Sequence, residues 1–351
     1  MSRSRPLRVC LYGLGAIGSA TARALLADPD VRITGAIDID PRKTGRDLHS
    51  LLRMRGTSGI KVVADAATAL SSSAHDVVIH STGSRLKLIA AQLEEIVGAG
   101  FPCVTSCEEM AFPEAAAPGL ARRLDRAARA KGVALLGAGV NPGFVMDALV
   151  LALSGATREV DHIIVERVLD PLSRRKVFQK KVGLGMTWRE ANKLVSEASM
   201  GHIGLKESAH LIARGMGWNI TNVEEDVRVL CADEAPKARS RRASHPDAPV
   251  MGLQQTLIAK SGRTERIRME MLMQAGVEGA HDAIAINGHP GLNLWIQGGI
   301  PGDEATVSCL INAARHAVAP PRTGLLTVLD LPLRPHFRSN GASRSPAEVT
   351  A

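Results

Sequence analysis

The spacing of hydrophobic and polar positions changes about halfway along the chain. In the first half, short apolar runs alternate with helical stretches. Leu7, Val9 and Leu11 are separated by polar or small residues, which predicts a strand. Residues 19–27 are strong helix formers, and residues 31–37 make a second apolar strand. Val77, Val78 and Ile79 predict a short buried strand ending at Ser81-Thr82-Gly83. Further helices are predicted over 87–98 and 118–130, and further strands over 102–106 and 133–136. Strands separated by helices imply a parallel, doubly wound sheet. Ligands of such sheets bind at the carboxyl ends of the strands, so Thr82, Gly83, Glu108, Glu109 and Asn141 should face one crevice.

From about residue 160 the pattern lengthens. Residues 161–169 read as a longer strand, and residues 188–216 as helix with breaks near Gly201 and Gly204. Over 266–274, Ile267, Met269, Met271 and Met273 share one face, and Arg266, Arg268 and Glu270 the other. Two more strands, 283–286 and 292–296, are joined by Gly288-His289-Pro290-Gly291, and Gly302-Asp303-Glu304 opens a last helix over 305–317. This predicts an open, mainly antiparallel or mixed sheet with one half-exposed face, flanked by helices. Such a face suits a partner subunit, so a homodimer is expected. The fold class is therefore α/β: an N-terminal Rossmann-type doubly wound parallel sheet plus a C-terminal α+β domain. The expected division is 1–142 for the first domain and 143–302 for the second, which also carries the expected dimer surface. Residues 303–336 should pack back on the first domain, with 337–351 a disordered tail.

Composition narrows the class. At 351 residues the chain can bury a large core, and 45% hydrophobic with 22% charged residues is ordinary for a globular protein. No apolar run nears the roughly 20 residues that span a membrane. The basic N-terminus runs straight into the first strand without an apolar targeting segment. The five cysteines, Cys10, Cys103, Cys107, Cys231 and Cys309, match no C-x-x-C motif and read as reduced thiols of a cytoplasmic protein. The net charge of +8 forms no stripe. Its densest cluster, Lys237, Arg239, Arg241 and Arg242, lies in an Ala/Ser/Pro-rich stretch and reads as a solvated loop. With 3% aromatic residues a stacking platform for nucleic acid is not expected.

The run Gly13-Leu14-Gly15-Ala16-Ile17-Gly18 reads G-x-G-x-x-G between a predicted strand and a predicted helix. An acid, Asp38, ends the next strand about 20 residues on. The glycines let the backbone approach a pyrophosphate, and the helix amides stabilise its charge. Asp38 suits a ribose 2′-hydroxyl, whereas Arg42 and Lys43, at the expected first turn of an exposed helix, offer charge to a 2′-phosphate, so NAD and NADP are both admissible. Asn141-Pro142-Gly143 suits the carboxamide end of such a cofactor, or a boundary turn. No Ser-His-Asp arrangement, H-E-x-x-H or metal-ligand pair is present, and His202 and His210 are too far apart on a helix to share an ion. A pair of carboxylates, Glu108 and Glu109, remains at the crevice. A carboxyl in a dry pocket can take a proton and return it. Neighbours in extended chain point opposite ways, so one glutamate faces the crevice: Glu108 by preference, Glu109 as the alternative. Phe144, Phe178, Met200 and His202 are candidate walls of a substrate pocket between the domains.

Several short segments, in order, resemble 2,4-diaminopentanoate dehydrogenase and the native amine dehydrogenases related to it. They are Gly139-Val140-Asn141-Pro142-Gly143-Phe144, Arg167, Phe178-Gln179 with Lys181, residues 201–208 (GHIGLKES), Gly217-Trp218, Gly298-Gly299 with Gly302-Asp303, Gly324-Leu325, and Asp330-Leu331-Pro332. The fold is more distantly similar to dihydrodipicolinate reductase. The resemblance implies reversible, NAD(P)-dependent conversion of a small amine or diamino acid and water to a ketone or aldehyde and ammonia. It also implies a glutamate at this strand end as the acid–base group. Two other readings compete: reduction of a preformed cyclic imine, for which the typical His-His-Lys cluster is missing, and a dinucleotide-binding regulator without turnover, which needs no acid at the crevice.

Overall fold

The computed structural model describes residues 5–71, 75–232 and 245–332. The basic cluster at 237–242 and the expected tail at 337–351 lie outside them.

Seven strands form the first sheet: β1 (Leu7–Tyr12), β2 (Val31–Ile37), β3 (Val62–Val63), β4 (Val77–His80), β5 (Cys103–Thr105), β6 (Ala134–Gly137) and β13 (Gly324–Leu326). Their order is β13-β6-β5-β4-β1-β2-β3 and every pairing is parallel. Helices cover both faces, so the central strands are apolar on both sides: β4 and β6 are buried at every position. The chain runs from β1 outward through β2 to β3, then crosses back to β4 on the other side of β1. Loops therefore diverge between the carboxyl ends of β1 and β4 and open a crevice there.

The second sheet comprises β7 (Glu159–Leu169), β8 (Asn222–Cys231), β9 (Val250–Ser261), β10 (Thr264–Gln274), β11 (His281–His289) and β12 (Leu292–Gln297). Its order is β12-β11-β7-β10-β9-β8, parallel between β7 and β10 and antiparallel elsewhere, hence mixed. The alternation in β10 has its expected effect: Ile267, Met269, Met271 and Met273 are buried in one core with Ile163, Val165, Leu253 and Leu257. The expected helix over 188–216 is two helices, Trp188–Ser196 and Leu205–Met216. The backbone between them takes positive φ at Gly201 (127°) and Gly204 (130°), where a helix cannot continue. The helix Gly302–Ala317 returns to the first sheet and buries Leu310, Ala313 and Ala314 with Val104 and Ala138. Among the described residues, no helix is long and apolar enough to cross a membrane.

Candidate active site

The carboxyl ends of β1, β4, β5 and β6 run into residues 13–18, 81–84, 106–108 and 138–142. These segments meet part of the second domain around a crevice of about 550 Å³. Ala16, Ile17, Thr82, Gly83, Glu108, Asn141 and Pro142 line it, and Phe178 and His202 face it from the second domain.

The glycine turn is shaped by close approach. A Cβ on Gly18 would lie 1.9 Å from the Gly13 carbonyl oxygen, and one on Gly13 (φ +95°) would lie 2.5 Å from the Ser81 carbonyl oxygen. A Cβ on Gly15 meets nothing within 4 Å. Gly15 caps the helix Ala16–Leu26, whose first amides take no side-chain cap. Open space over unbonded helix amides is what a pyrophosphate requires. Ser81 Oγ and both amide atoms of Asn141 are buried without a partner among the described residues. Buried polar atoms are normally paired, so these are ready to bond a ligand. A dinucleotide therefore fits the residues present. Thr82 Oγ1 is fixed by Gln92 (2.6 Å) and His80 (2.9 Å), and burial holds the His80 imidazole down at about 4, so it is neutral.

At the adenosine end, Asp38 Oδ2 accepts from the Leu14 amide (2.8 Å) and Lys43 Nζ (2.7 Å), and Oδ1 accepts from the Asp40 amide (2.9 Å). Burial pushes this carboxyl up, but the Lys43 and backbone hydrogen bonds outweigh it and hold it below its ordinary value. Arg42 and Lys43 lie in turns, not at the start of a helix. Their neighbours Asp38 and Asp40 have captured them: Lys43 is neutralised by Asp38, and Arg42, 88% exposed, pairs with Asp40 at 2.8 Å.

The glutamate doublet lies in a 3₁₀ turn, Glu108–Ala111, rather than in extended chain. Turn geometry separates the two. Glu108 lines the crevice, and its carboxylate has no hydrogen bond or ion pair among the described residues. Glu109 points away: it accepts from the Leu86 amide (2.6 Å), at the start of the helix Leu86–Gly98, and lies 3.8 Å from Arg85. Asp147, fully buried, ties the next turn down. It accepts from the Gly143 and Ala148 amides and from Ser208 Oγ (2.7 Å), and burial pushes its carboxyl up.

Two expected pocket walls stand elsewhere. The turn held by Asp147 carries Phe144 into the core of the second sheet, away from the crevice. Met200 packs in the same core and borders a separate cavity. In their place the crevice has a cationic wall of Arg167, Arg174, Arg175 and Lys181. Arg174 and Arg175 share Asp303, at 2.9 and 3.6 Å. Arg167 is only 4% exposed; its Nη2 donates to the Ile300 carbonyl (2.5 Å), while Nη1, 3.4 Å from Asp282, makes no hydrogen bond. Burial pushes its pKa down. Sequence reasoning does not bring Arg174, Arg175 and Asp303 together, because they come from two distant segments; the local signals are the Arg174-Arg175 doublet after a strand and the Gly302-Asp303 pair.

Fold and crevice together are those of a two-domain, dinucleotide-binding dehydrogenase. Residues 144–344, more than half of the chain, match the family model described as the 2,4-diaminopentanoate dehydrogenase C-terminal domain, and the chain belongs to that family. It is 29% identical over 336 residues to a 2,4-diaminopentanoate dehydrogenase of Acetoanaerobium sticklandii, covering 93% of this chain and 94% of the relative. It is 23% identical over 360 residues to an amine dehydrogenase of Streptomyces virginiae, covering 95% and 99%. Among solved structures, the amine dehydrogenase from Mycobacterium smegmatis superposes with a TM-score of 0.82 at 25% identity, covering 96% of this chain and 99% of that one.

Proposed function

We propose that the protein is an NAD(P)-dependent amine dehydrogenase that interconverts a small amine and water with a carbonyl compound and ammonia. The observation that carries the reading is Glu108, a carboxylate unpaired among the described residues, on the same crevice as the unpartnered Asn141 amide. Residues 1–142 hold the dinucleotide and residues 143–302 the substrate. The bound nicotinamide supplies or accepts the hydride. Asn141 holds its carboxamide, and the turn at Gly13, Gly15 and Gly18 holds its pyrophosphate. In the amination direction Glu108 takes a proton from ammonia as the nitrogen adds to the carbonyl carbon. It returns that proton to the carbonyl oxygen, giving the hydroxyl of the adduct, and then moves a second proton from the nitrogen to this hydroxyl, which leaves as water as the C=N bond forms. A carboxylate with no competing partner can make these transfers without first breaking a bond. The relative from Acetoanaerobium is named for a diamino acid, and the cationic wall suits a substrate carboxylate, with Arg167 Nη1 as its partner. The half-exposed face of the second sheet, with Trp295 on its edge strand 60% exposed, is the proposed homodimer surface. Five cysteines that form no disulfide among the described residues accord with a cytoplasmic protein.

The test is oxidation of NADPH or NADH in the presence of ammonia and a panel of small ketones, aldehydes and oxo acids bearing an amino group. Turnover is expected only with ammonia present and best with the acids. Turnover without ammonia, or only on a cyclic imine, contradicts the proposal.

Cofactor choice should be loose. Asp38 disfavours a 2′-phosphate but is already neutralised by Lys43, and the exposed Arg42 offers only the ~0–1 kcal/mol of a surface ion pair. The ratio of kcat/KM for the two cofactors is expected to stay within about a hundredfold, ~2.8 kcal/mol. Asp38→Ser shifts it toward NADP and Arg42→Ala toward NAD. A wild-type preference beyond about a thousandfold, ~4 kcal/mol, contradicts this placing of the ribose.

A further inference from the structure

A second cavity, of about 650 Å³, lies behind the loop 201–204. It shares two residues with the crevice, His202 and Lys181, which stand as a partition between the spaces. Its charge is of the other kind: the lining sets Glu109, Glu207, Glu225 and Asp226 against Arg85, Lys206 and the shared Lys181. Arg85 is drawn off by Glu109 and by the Ala198 carbonyl.

Two observations single out this cavity from an ordinary acidic surface. Glu207 is 4% exposed, faces the cavity, and takes no hydrogen bond or ion pair from any other described residue. At the partition, His202 Nε2 is buried without a partner among the described residues. Gln255 clamps the His202 backbone, accepting from its amide (2.7 Å) and donating to its carbonyl (2.8 Å), and donates also to Glu225 (2.7 Å). A chain of contacts thus runs from the cavity rim to the partition. The loop also rests on the crevice turn: a Cβ on Gly204 would lie 2.4 Å from Pro142 Cδ and 3.3 Å from His202 Nε2.

We propose that this cavity is the ammonium port of the active site, binding free ammonium between Glu207 and Glu225 and passing ammonia by His202 to Glu108. The inference rests on the amine dehydrogenase reading. Ammonium is repelled by the arginines of the crevice wall, and dinucleotide and substrate occupy that entrance. A cavity with more carboxylates than cations on the other side of His202 and Lys181 attracts the cation instead. Burial, aided by Glu109 and Glu225 and opposed by a hydrogen bond within Glu207 itself and by Lys206, pushes the Glu207 carboxyl up to about 7. It can therefore keep the proton that ammonium loses, one N–H bond breaking as one O–H bond forms, and release it to solvent. His202, held down at about 3 by burial and by Lys181 and Arg167, stays neutral and does not repel the cation.

The test has two arms. In initial-rate kinetics, Glu207→Gln raises the KM for ammonium about tenfold, the loss of one contact to a charged group. The KM values for the carbonyl and the dinucleotide hold. An unchanged ammonium KM, or an equal rise for the carbonyl, overturns the port. A rise confined to the KM of the amine in deamination assigns the cavity to the substrate's own ammonium group and overturns it too. In the second arm, crystals soaked in thallium(I), a cation of ammonium's charge and similar size, give an anomalous peak beside Glu207 that is lost in Glu207→Gln. No peak beside ammonia-dependent turnover overturns the port alone. A peak without such turnover overturns the amine dehydrogenase reading, and the port with it.

Discussion

Glu108→Gln lowers kcat for reductive amination by about 10²- to 10⁴-fold, the usual worth of a positioned proton donor and acceptor. The amide keeps the shape of the carboxylate but can neither take a proton from ammonia nor return one to the leaving hydroxyl. No described residue bonds the Glu108 carboxylate, so the substitution breaks no structural contact and the melting temperature should hold. Glu109→Gln is the matched control. Its oxygen bonds the Leu86 amide and approaches Arg85, so the loss falls on stability, by about 1 kcal/mol, with much less change in rate. Steady-state kinetics and thermal unfolding of the pair check both halves. Reversed effects would place the wrong carboxylate at the substrate, and two neutral variants would remove acid–base catalysis by this turn.

Gly15→Val weakens dinucleotide binding by about a hundredfold or more, at least ~2.7 kcal/mol, while the chain still folds. The backbone of Gly15 (φ −69°, ψ −160°) is open to a β-branched residue, and its Cβ direction is empty to 4 Å. The valine methyls therefore fill the space above the amides of the helix Ala16–Leu26 without disturbing protein atoms. Gly18→Ala would be a poor substitute, because its Cβ collides with the Gly13 carbonyl and tests folding instead. Calorimetric titration with NADPH and NADH checks the claim. Wild-type affinity in the valine variant would show that the phosphates lie elsewhere.

The first sheet was legible because parallel strands buried on both faces are plain apolar runs, set off by glycines at the turns. The strands that escaped notice escaped for physical reasons. In β8 an exposed edge carries Glu224, Glu225 and Asp226 and has little apolar signal. In β9 the alternation is spoiled by Gln255, a buried polar residue kept for its bonds to His202 and Glu225. In β13 three residues from near the end of the chain complete a sheet begun near its start. At the site, strand-end residues such as Thr82, Glu108 and Asn141 could be read from a parallel topology. Their partners could not, since Arg167, Arg174 and Asp303 meet only through the packing of the second domain on the first. The glutamate doublet shows the limit of local pattern. Extended-chain alternation separates its two members for the wrong reason; the 3₁₀ turn after β5 is what aims them apart.

The most direct measurement of the central claim follows the atoms. Amination is run with NADPH deuterated at the transferring position and with ¹⁵N-ammonium, and the product is read by mass spectrometry. The account predicts an amine carrying one deuterium on carbon and one ¹⁵N, its formation slowed in Glu108→Gln. An alcohol carrying deuterium but no nitrogen, or a labelled amine formed equally fast by that variant, would contradict it.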